Sequence, residues 1–113
     1  MSYRLLRRAE RDIEDILDYT FVNFGPDQVD RYAALIIAAC RIIGETPMVT
    51  GSRPRNDLGA NVRSYAVALA AGRTGGASHI LYYVAERGAD GRIPIIRVMH
   101  ERMDPSRRIS RLR

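Results

Sequence analysis

Apolar residues recur at helical spacing through the first 45 residues of the chain. From about residue 8, one side of a predicted helix carries the apolar stripe Ala9, Ile13, Ile16, Leu17, Thr20 and Phe24. Gly25 then supplies a stop, and Pro26 opens a second helix that runs to about Glu45. The core stripe of this second helix is Val29, Ala33, Ile36, Ile37, Cys40 and Ile43. Because the connection at Gly25 is short, we predict an antiparallel helical hairpin over about residues 8–45.

The pattern changes from helical spacing to alternation after an irregular segment. Residues 46–61 contain prolines, glycines, Arg53 and Arg55, and they predict a loop of a length that is often functional. Three stretches with strand-like composition follow, at Val62–Ala70, Ser78–Glu86 and Ile93–His100. Turns at residues 72–77 and 88–91 separate them, which predicts an antiparallel β-meander over residues 62–100.

These elements predict one α+β domain that spans residues 1–113. The N-terminal helical hairpin packs on a three- to four-stranded antiparallel β-sheet, and Tyr3–Leu6 is interpreted as the small additional edge strand. Residues 101–113 form a basic tail after the last strand, because Pro105 has no N–H for a sheet.

Alternation along the last predicted strand assigns its side chains to two faces. One face carries Ile95, Arg97 and Met99, and the other carries Ile96, Val98 and His100. Unless a bulge intervenes, Arg97 and His100 therefore act on different surfaces. A guanidinium in an apolar strand needs water, an anion or a partner protein. For His100 we favour a half-buried histidine that holds the strand end by hydrogen bonds.

Charge divides the chain into two unequal parts. The net charge is +5, and all 18 basic residues are arginine, which removes mechanisms that need a lysine base or Schiff-base amine. Residues 1–30 hold 4 arginines and 7 acids, giving −3, whereas residues 31–113 hold 14 arginines and 6 acids, giving +8. The basic part indicates either an anionic partner, such as nucleic acid or an acidic protein surface, or a solvated surface.

Several classes of protein are disfavoured by the sequence. No apolar run approaches the roughly 18 residues of a membrane span, and the N-terminus lacks the apolar region of a signal peptide. Cys40 is the single cysteine, which excludes an intrachain disulfide and fits a small core residue. We therefore expect a cytoplasmic location. Two histidines and one cysteine, far apart in the chain, make a metal site improbable.

Three runs, in addition to the predicted hairpin, carry a resemblance to a known family. They are Val62-Arg63-Ser64-Tyr65, His79-Ile80-Leu81-Tyr82-Tyr83-Val84, and the stretch from Ile95 to Asp104 that contains Arg-Val-Met-His-x-x-Met-Asp. The chain resembles the RelE/ParE superfamily of bacterial toxins, and the ParE branch most. The resemblance implies an antitoxin, encoded beside the toxin, that wraps it and keeps it inactive.

The resemblance also implies what the free protein does. ParE-like toxins inhibit DNA gyrase, whereas RelE-like relatives cut messenger RNA on the ribosome with basic and aromatic residues on the open face of the sheet. We predict a ParE-like toxin that acts by binding, is not an enzyme and uses no cofactor. Its antitoxin would be ParD-like, with a ribbon-helix-helix part and a toxin-binding segment that is amphipathic and partly acidic. The protein would meet DNA only through antitoxin or gyrase.

Two alternatives remain open at this point, namely a ribosome-dependent mRNA endonuclease and a silent relative that keeps only the binding role. Cleavage of RNA needs groups that move protons and cations on the phosphate, and Arg63 with Arg97 could grip that phosphate. His79 could share their face, although it sits at the start of its strand. No lysine assists them, and the tail lacks a tyrosine.

The predicted partner-binding residues lie on the sheet and in the tail. They are Arg63, Tyr65, Tyr82, Arg97, Met99, Arg102, Met103, Asp104, Arg107 and Arg108. The alternative for Arg63 and Arg97 is an internal salt bridge with Glu86 or Glu101. The tail arginines, which also include Arg111 and Arg113, form either a solvated end or a contact with gyrase or its DNA. The tyrosines are mostly packing residues, and some are expected to border a groove between the hairpin and the sheet.

Overall fold

The structure is a computed structural model that describes residues 1–72 and 78–109. Two long helices, α1 (Arg7–Phe24) and α2 (Pro26–Glu45), pack on one face of a sheet. The strands of that sheet are β1 (Tyr3–Leu5), β2 (Arg53–Pro54), β3 (Val62–Ala66), β4 (His79–Val84) and β5 (Ile93–His100). A short helix, α3 (Ser106–Ile109), ends the described chain. Residues 73–77 of the predicted turn, with Arg111 and Arg113, lie outside the described residues.

The helical hairpin follows the predicted bounds to within a residue. Gly25 joins the two helices with φ +86° and ψ 174°, a backbone conformation that is open almost only to glycine, and its N–H donates to the Phe21 carbonyl at 3.0 Å. Two side chains of the predicted core stripes are exposed instead. Phe24 is 67% exposed because it lies at the end of α1, beyond the sheet, and Ile37 is 43% exposed.

The sheet has the strand order β1-β5-β4-β3-β2. The predicted α+β class is confirmed, but the sheet has five strands and is mixed, not antiparallel with three or four. β1 pairs parallel to β5, from Tyr3 opposite Ile93 to Leu5 opposite Ile95. This pairing joins opposite ends of the chain, so no local pattern reports it. β2 adds a two-residue edge strand inside the segment that was predicted to be irregular.

The first predicted strand of the meander is shorter than its sequence pattern indicated. β3 ends at Ala66, and Val67–Ala71 form a 3₁₀ turn. Val67 is fully buried in the core under the helices, and Gly72 ends the turn with φ +71°. Local alternation therefore continued past the true end of the strand, because burial of a short turn produces the same apolar composition.

A β-bulge interrupts the pairing of β4 with β5. Tyr82 lies opposite Arg97, and Tyr83 lies opposite Ile95, so Ile96 is an additional residue on β5. The predicted face assignment is consequently wrong. Ile95 and Val98 pack in the core beneath the helices, whereas Ile96 and Met99 pack on the opposite face.

Each face of the sheet carries its own apolar cluster. The cluster under the helices contains Ile36, Ile43, Tyr65, Leu81, Tyr83, Ile95 and Val98 among others. The cluster on the second face consists of Leu58, Val62, Tyr82, Ile96, Met99 and Ile109. Ile109 is only 1% exposed, so the start of the basic tail folds back onto the sheet. The second face is thus covered by the chain itself.

Candidate partner-binding site

Arg97 is buried and held by a carboxylate of its own chain. Its Nε and Nη2 donate to the two carboxylate oxygens of Asp12 at 2.7 and 3.0 Å, a bidentate ion pair. The side chains are 6% and 13% exposed, respectively. An internal ion pair was one of the two predicted interpretations, but the partner is Asp12 on α1 and not Glu86 or Glu101. In this structure the guanidinium is not accessible to another protein.

Asp12 also completes the edge of β5. β1 ends at Leu5, and within the described chain no strand continues beside β5 beyond Ile95. The Val98 N–H donates to Asp12 Oδ2 at 2.9 Å. One carboxylate therefore neutralises Arg97 and satisfies a backbone N–H that a longer β1 would have paired. Arg97 Nη1 is buried with no hydrogen-bond partner among the described residues.

Arg63 lies on β3, two strands away from Arg97 in the sheet order. Its Nε and Nη2 donate to Ser52 Oγ at 3.1 and 2.9 Å, and Nη2 also donates to the Ser52 carbonyl. Within the described residues no carboxylate forms an ion pair with Arg63. Arg63 is partly exposed. The two arginines are therefore not brought together as a phosphate clamp.

The remaining predicted residues divide into a buried and an exposed group. Tyr65, Tyr82 and Met99 are core residues, at most 4% exposed. Met103 is partly buried, and the exposed group comprises Arg102, Asp104, Arg107 and Arg108. Exposed residues of the prediction thus lie where the chain leaves β5.

Asp104 fixes the exit from β5. Its Oδ1 accepts the Ser106 N–H at 3.0 Å and the Ser106 hydroxyl at 2.6 Å. These hydrogen bonds, from the hydroxyl first, lower the pKa of the Asp104 carboxyl. Arg55 forms a bidentate pair with Asp57 and lies over the Tyr82 ring, 5.8 Å from its centroid. Basic side chains therefore border the self-covered face.

A groove opens on the other side of the molecule, between the hairpin and the ends of β4 and β5. Its volume is about 650 Å³. The lining residues are Asp15, Ile16, Tyr19, Thr20, Phe24, Gln28, Tyr32, Ser78, His79 and His100. We expected the tyrosines to be mostly packing residues and some of them to border a groove, without saying which. Tyr19 and Tyr32 line the groove, whereas Tyr65, Tyr82 and Tyr83 are buried packing residues.

Two histidines and a tyrosine form one wall of this groove. The Tyr32 hydroxyl is hydrogen-bonded to His79 Nδ1, and the rings of His79 and His100 meet edge to face with centroids 5.5 Å apart. Burial first, and His100 second, lower the pKa of His79, while burial raises the pKa of Tyr32. His100 is half-buried and accepts the Arg102 N–H at Nδ1, as predicted. At neutral pH this wall is polar and the His79 side chain is neutral.

None of the residues that line the groove was in the predicted partner-binding set. A usable signal was present in the sequence, because the aromatic run Tyr19-Thr20-Phe21-Val22-Asn23-Phe24 reaches the end of α1 within a stretch that has no basic residue. Aromatic side chains near the end of a helix, beside a short turn, can project past the sheet on which that helix packs. Such a run therefore indicates an exposed aromatic surface.

Within residues 1–72 and 78–109, no three His, Cys, Asp or Glu side chains lie together in a way that could hold a metal ion. Over the same residues, none of the helices combines the length and the apolar character that crossing a membrane requires.

Residues 3–105 match the model of a protein family described as the ParE toxin of the type II toxin–antitoxin system parDE. The chain belongs to the ParE toxin family. This assignment confirms the predicted ParE branch of the RelE/ParE superfamily.

Named relatives agree with the family assignment. Toxin ParE1 of Caulobacter vibrioides is 32% identical over 102 residues, which are 90% of this chain and 91% of the relative. Toxin ParE1 of Mycobacterium tuberculosis is 29% identical over 107 residues, which are 95% of this chain and 96% of the relative. A solved chain described as part of a chromosomal ParDE toxin–antitoxin system from P. aeruginosa shares the fold, with a TM-score of 0.67 and 19% identity. The aligned region covers 88% of this chain and 95% of the solved chain.

Proposed function

We propose that this ParE-family protein inhibits DNA gyrase by binding, and that a ParD-like antitoxin with a ribbon-helix-helix part neutralises it. The observation that carries the proposal is the family match over nearly the whole chain. The solved relative is described as part of a ParDE system, which supports an antitoxin as the partner here.

The second face of the sheet supports binding over catalysis. A ribonuclease of the RelE kind would place basic and aromatic side chains on an open face. Here that face is occupied by Leu58, Ile96, Met99 and Ile109, and Tyr82 is 3% exposed beneath Arg55. Arg97 is paired with Asp12 and does not project from that face as a free cation. A phosphate would find few donors there without the tail first leaving the sheet.

The exposed arginines after β5 are the proposed contact with gyrase or with the DNA that gyrase holds. Arg102, Arg107 and Arg108 are exposed and lie within one short segment. Arginines bind phosphates and carboxylates through several donors, so this segment suits an anionic surface. Binding of that kind weakens as salt is added, because the contact releases counterions from the phosphates and this release is less favourable at higher salt concentration.

A ribosome-dependent mRNA endonuclease is the second candidate, and the Tyr32–His79–His100 cluster favours it. Imidazoles exchange protons near neutral pH, and His79 and His100 lie with their rings in contact. The surroundings oppose this role, since Asp15 lines the same groove and repels an RNA phosphate. The binding function is therefore preferred.

A paired assay tests the proposal. Purified chain is added to gyrase with relaxed plasmid and ATP, and, separately, to a translation reaction in which cleavage of ribosome-bound mRNA is followed. Inhibited supercoiling with intact mRNA is the expected result. RNA cleavage with normal supercoiling would reject gyrase inhibition in favour of the nuclease. If neither reaction changes while an antitoxin still binds, the chain is a silent family member. The variant His79→Asn/His100→Asn must leave gyrase inhibition intact if the histidines do no catalysis.

A further inference from the structure

Three arginines gather at the turn between β4 and β5, where one carboxylate holds two of them. Asp90 Oδ2 accepts from Arg92 Nε at 3.1 Å, and Asp90 Oδ1 accepts the Arg92 N–H at 3.0 Å. Arg4 Nε, from β1, lies 3.2 Å from the same Oδ2 atom. Arg87 Nη1 donates to the Gly91 carbonyl at 3.3 Å, within the same turn. We call Arg4, Arg87, Asp90 and Arg92 the turn cluster.

The turn cluster leaves most of its guanidinium donors free. Arg4 and Arg92 face Asp90 with Nε, and their terminal NH₂ groups have no hydrogen-bond partner among the described residues. Arg4 and Asp90 are exposed, and Arg92 is partly exposed. A surface arginine normally loses rotamer freedom when a ligand orders it. Because Asp90 already holds these two side chains, less of that cost remains to be met on binding.

The carboxylate does not neutralise the turn cluster. The Arg92 N–H first, and then the Arg92 and Arg4 guanidiniums, lower the pKa of the Asp90 carboxyl, which is therefore ionised at neutral pH. Glu86 is the other acid of this turn, and among the described residues it forms no ion pair. Three guanidiniums against two carboxylates leave a positive charge, and the free NH₂ groups are donors that suit phosphate oxygens.

The turn cluster lies at the opposite end of the sheet from the acidic part of the chain. The hairpin tip, residues 12–30, holds six acidic residues and no basic residue. The tip meets the sheet at the groove, where His79 begins β4 and His100 ends β5. Since the two strands are antiparallel and have 6 and 8 residues, their turn lies roughly 20–25 Å from these histidines. A polyanion is therefore repelled less at the turn than at the tip.

The surroundings of the turn cluster distinguish between classes of anionic partner. Protein interfaces have a core of large apolar side chains, and membrane-surface segments have an apolar face or a larger basic cluster. Within residues 86–92 the only apolar side chain is Ala89, and there is no aromatic ring of the kind that stacks on single-stranded bases. Gly88 and Gly91 leave room for a close approach of the backbone. A regular duplex backbone needs only the exposed donors that are present.

From these observations we infer that the turn cluster binds the phosphate backbone of duplex DNA without preference for base sequence. Contacts to phosphates carry no sequence information directly. The inference goes beyond gyrase inhibition, and it departs from our expectation that the protein meets DNA only through antitoxin or gyrase. The exposed arginines of the exit, Arg107 and Arg108, follow the other end of β5, so the turn cluster is a separate contact.

Binding to free DNA tests the inference with the full chain and with no gyrase or antitoxin present. Two labelled duplexes of unrelated sequence, each about three helical turns long, are titrated by fluorescence anisotropy over a range of salt concentrations. Both should bind alike, with a Kd on the order of 10⁻⁵ M at physiological salt and a linear fall of log affinity with log salt. No binding at low salt, or tighter binding of a single strand or of a polyglutamate peptide, would overturn the inference.

Matched variants separate the turn cluster from general attraction by charge. Arg4→Ala/Arg92→Ala should reduce the slope of log affinity against log salt by about 2, because two phosphate contacts are lost. Arg11→Ala/Arg31→Ala removes the same charge from exposed positions that flank the hairpin tip and should leave the slope unchanged. Equal slope changes in the two variants would show that the attraction is not local and would reject the site.

A variant that keeps the charge tests the arrangement of the guanidiniums. Arg4→Lys/Arg92→Lys should bind several-fold more weakly with a nearly unchanged slope, because an ammonium beside Asp90 has no planar fork to offer a phosphate. Undiminished affinity would mean that net charge alone suffices. Loss of all binding in Arg107→Ala/Arg108→Ala, with no effect of Arg4→Ala/Arg92→Ala, would assign DNA binding to the exit alone. Exposed ion pairs contribute little to stability, and thermal unfolding confirms that each variant is folded.

Discussion

The hairpin tip and the exit from β5 differ in charge and in whether their apolar side chains are exposed or buried. The tip is acidic, and it leaves aromatic rings and a groove open. The exit is basic, and its segment uses Ile109 to cover the second face of the sheet. We propose that the two regions are recognition surfaces with opposite preferences. One suits a protein helix that fills a groove, and the other suits an anion that needs only exposed arginines.

The Asp12–Arg97 pair joins α1, which leads to the tip, to β5, which leads to the exit. Breaking it should have the largest effect. Asp12→Ala leaves a buried guanidinium and the Val98 N–H without an acceptor. We expect the free energy of unfolding to fall by about 3–5 kcal/mol, measured by urea denaturation. The double variant Asp12→Leu/Arg97→Met should recover much of this loss, because no unpaired charge remains. Equal stability of Asp12→Ala and the parent protein would show that the pair contributes nothing.

Removing the cover of the second face should have the next largest effect. Ile109→Ala creates a cavity beside Met99 and Tyr82 and should lower the free energy of unfolding by about 2–4 kcal/mol. Ile37→Ala, at a half-exposed site on α2, is the control and should cost less than about 1 kcal/mol. A change at Ile109 no larger than that of the control would mean that α3 does not stabilise the sheet.

Neutralising the basic exit should change binding and leave stability nearly constant. Arg107→Ala/Arg108→Ala removes exposed side chains, so the free energy of unfolding should stay within about 0.5 kcal/mol. If both arginines contact phosphates, the slope of log affinity against log salt for the gyrase–DNA complex should decrease by about 2. The Asp15→Asn/Asp18→Asn variant should leave that slope unchanged. Similar slope changes in both variants would remove the distinction between the two regions.

The smallest expected effect is a pH dependence of stability at the groove. The pKa of His79 is lower in the folded protein than its ordinary value of 6.5, owing to burial first and His100 second, while Glu101 opposes the shift. The unfolded chain therefore binds more protons, and the free energy of unfolding should decrease as the pH falls below about 6.5. His79→Asn retains an acceptor for the Tyr32 hydroxyl and should flatten this part of the curve. An unchanged pH profile in His79→Asn would assign the dependence to other groups.

Sequence periodicity predicted the two helices accurately because each is long and packs on its neighbour in the chain. It predicted the last strand accurately because the apolar run of that strand is long. The hairpin bounds and Ile93–His100 agree with the structure to within a residue. Alternation failed at Ile96, since a bulge leaves no mark in composition yet moves every following side chain to the other face. The burial of Arg97 depends on Asp12, a partner 85 positions away that no local pattern reports.

The candidate site was only partly predictable for the same reason. The exposed residues of the exit, such as Arg102 and Arg107, were found from composition alone. The groove required Tyr19 and Phe24 from one helix to meet His79 and His100 from two strands. One signal for the docked tail was available in Ile109, an apolar residue among arginines that a solvated end does not need.

By itself the sequence determined the two long helices, the last strand, the division of charge and the family resemblance, because these depend on local spacing and composition. Tertiary structure alone decided which charges are neutralised, which apolar residues remain open and which face of the sheet is covered. Those outcomes depend on pairings between distant segments, whose energies come from burial and distance and are not encoded in any short stretch of chain.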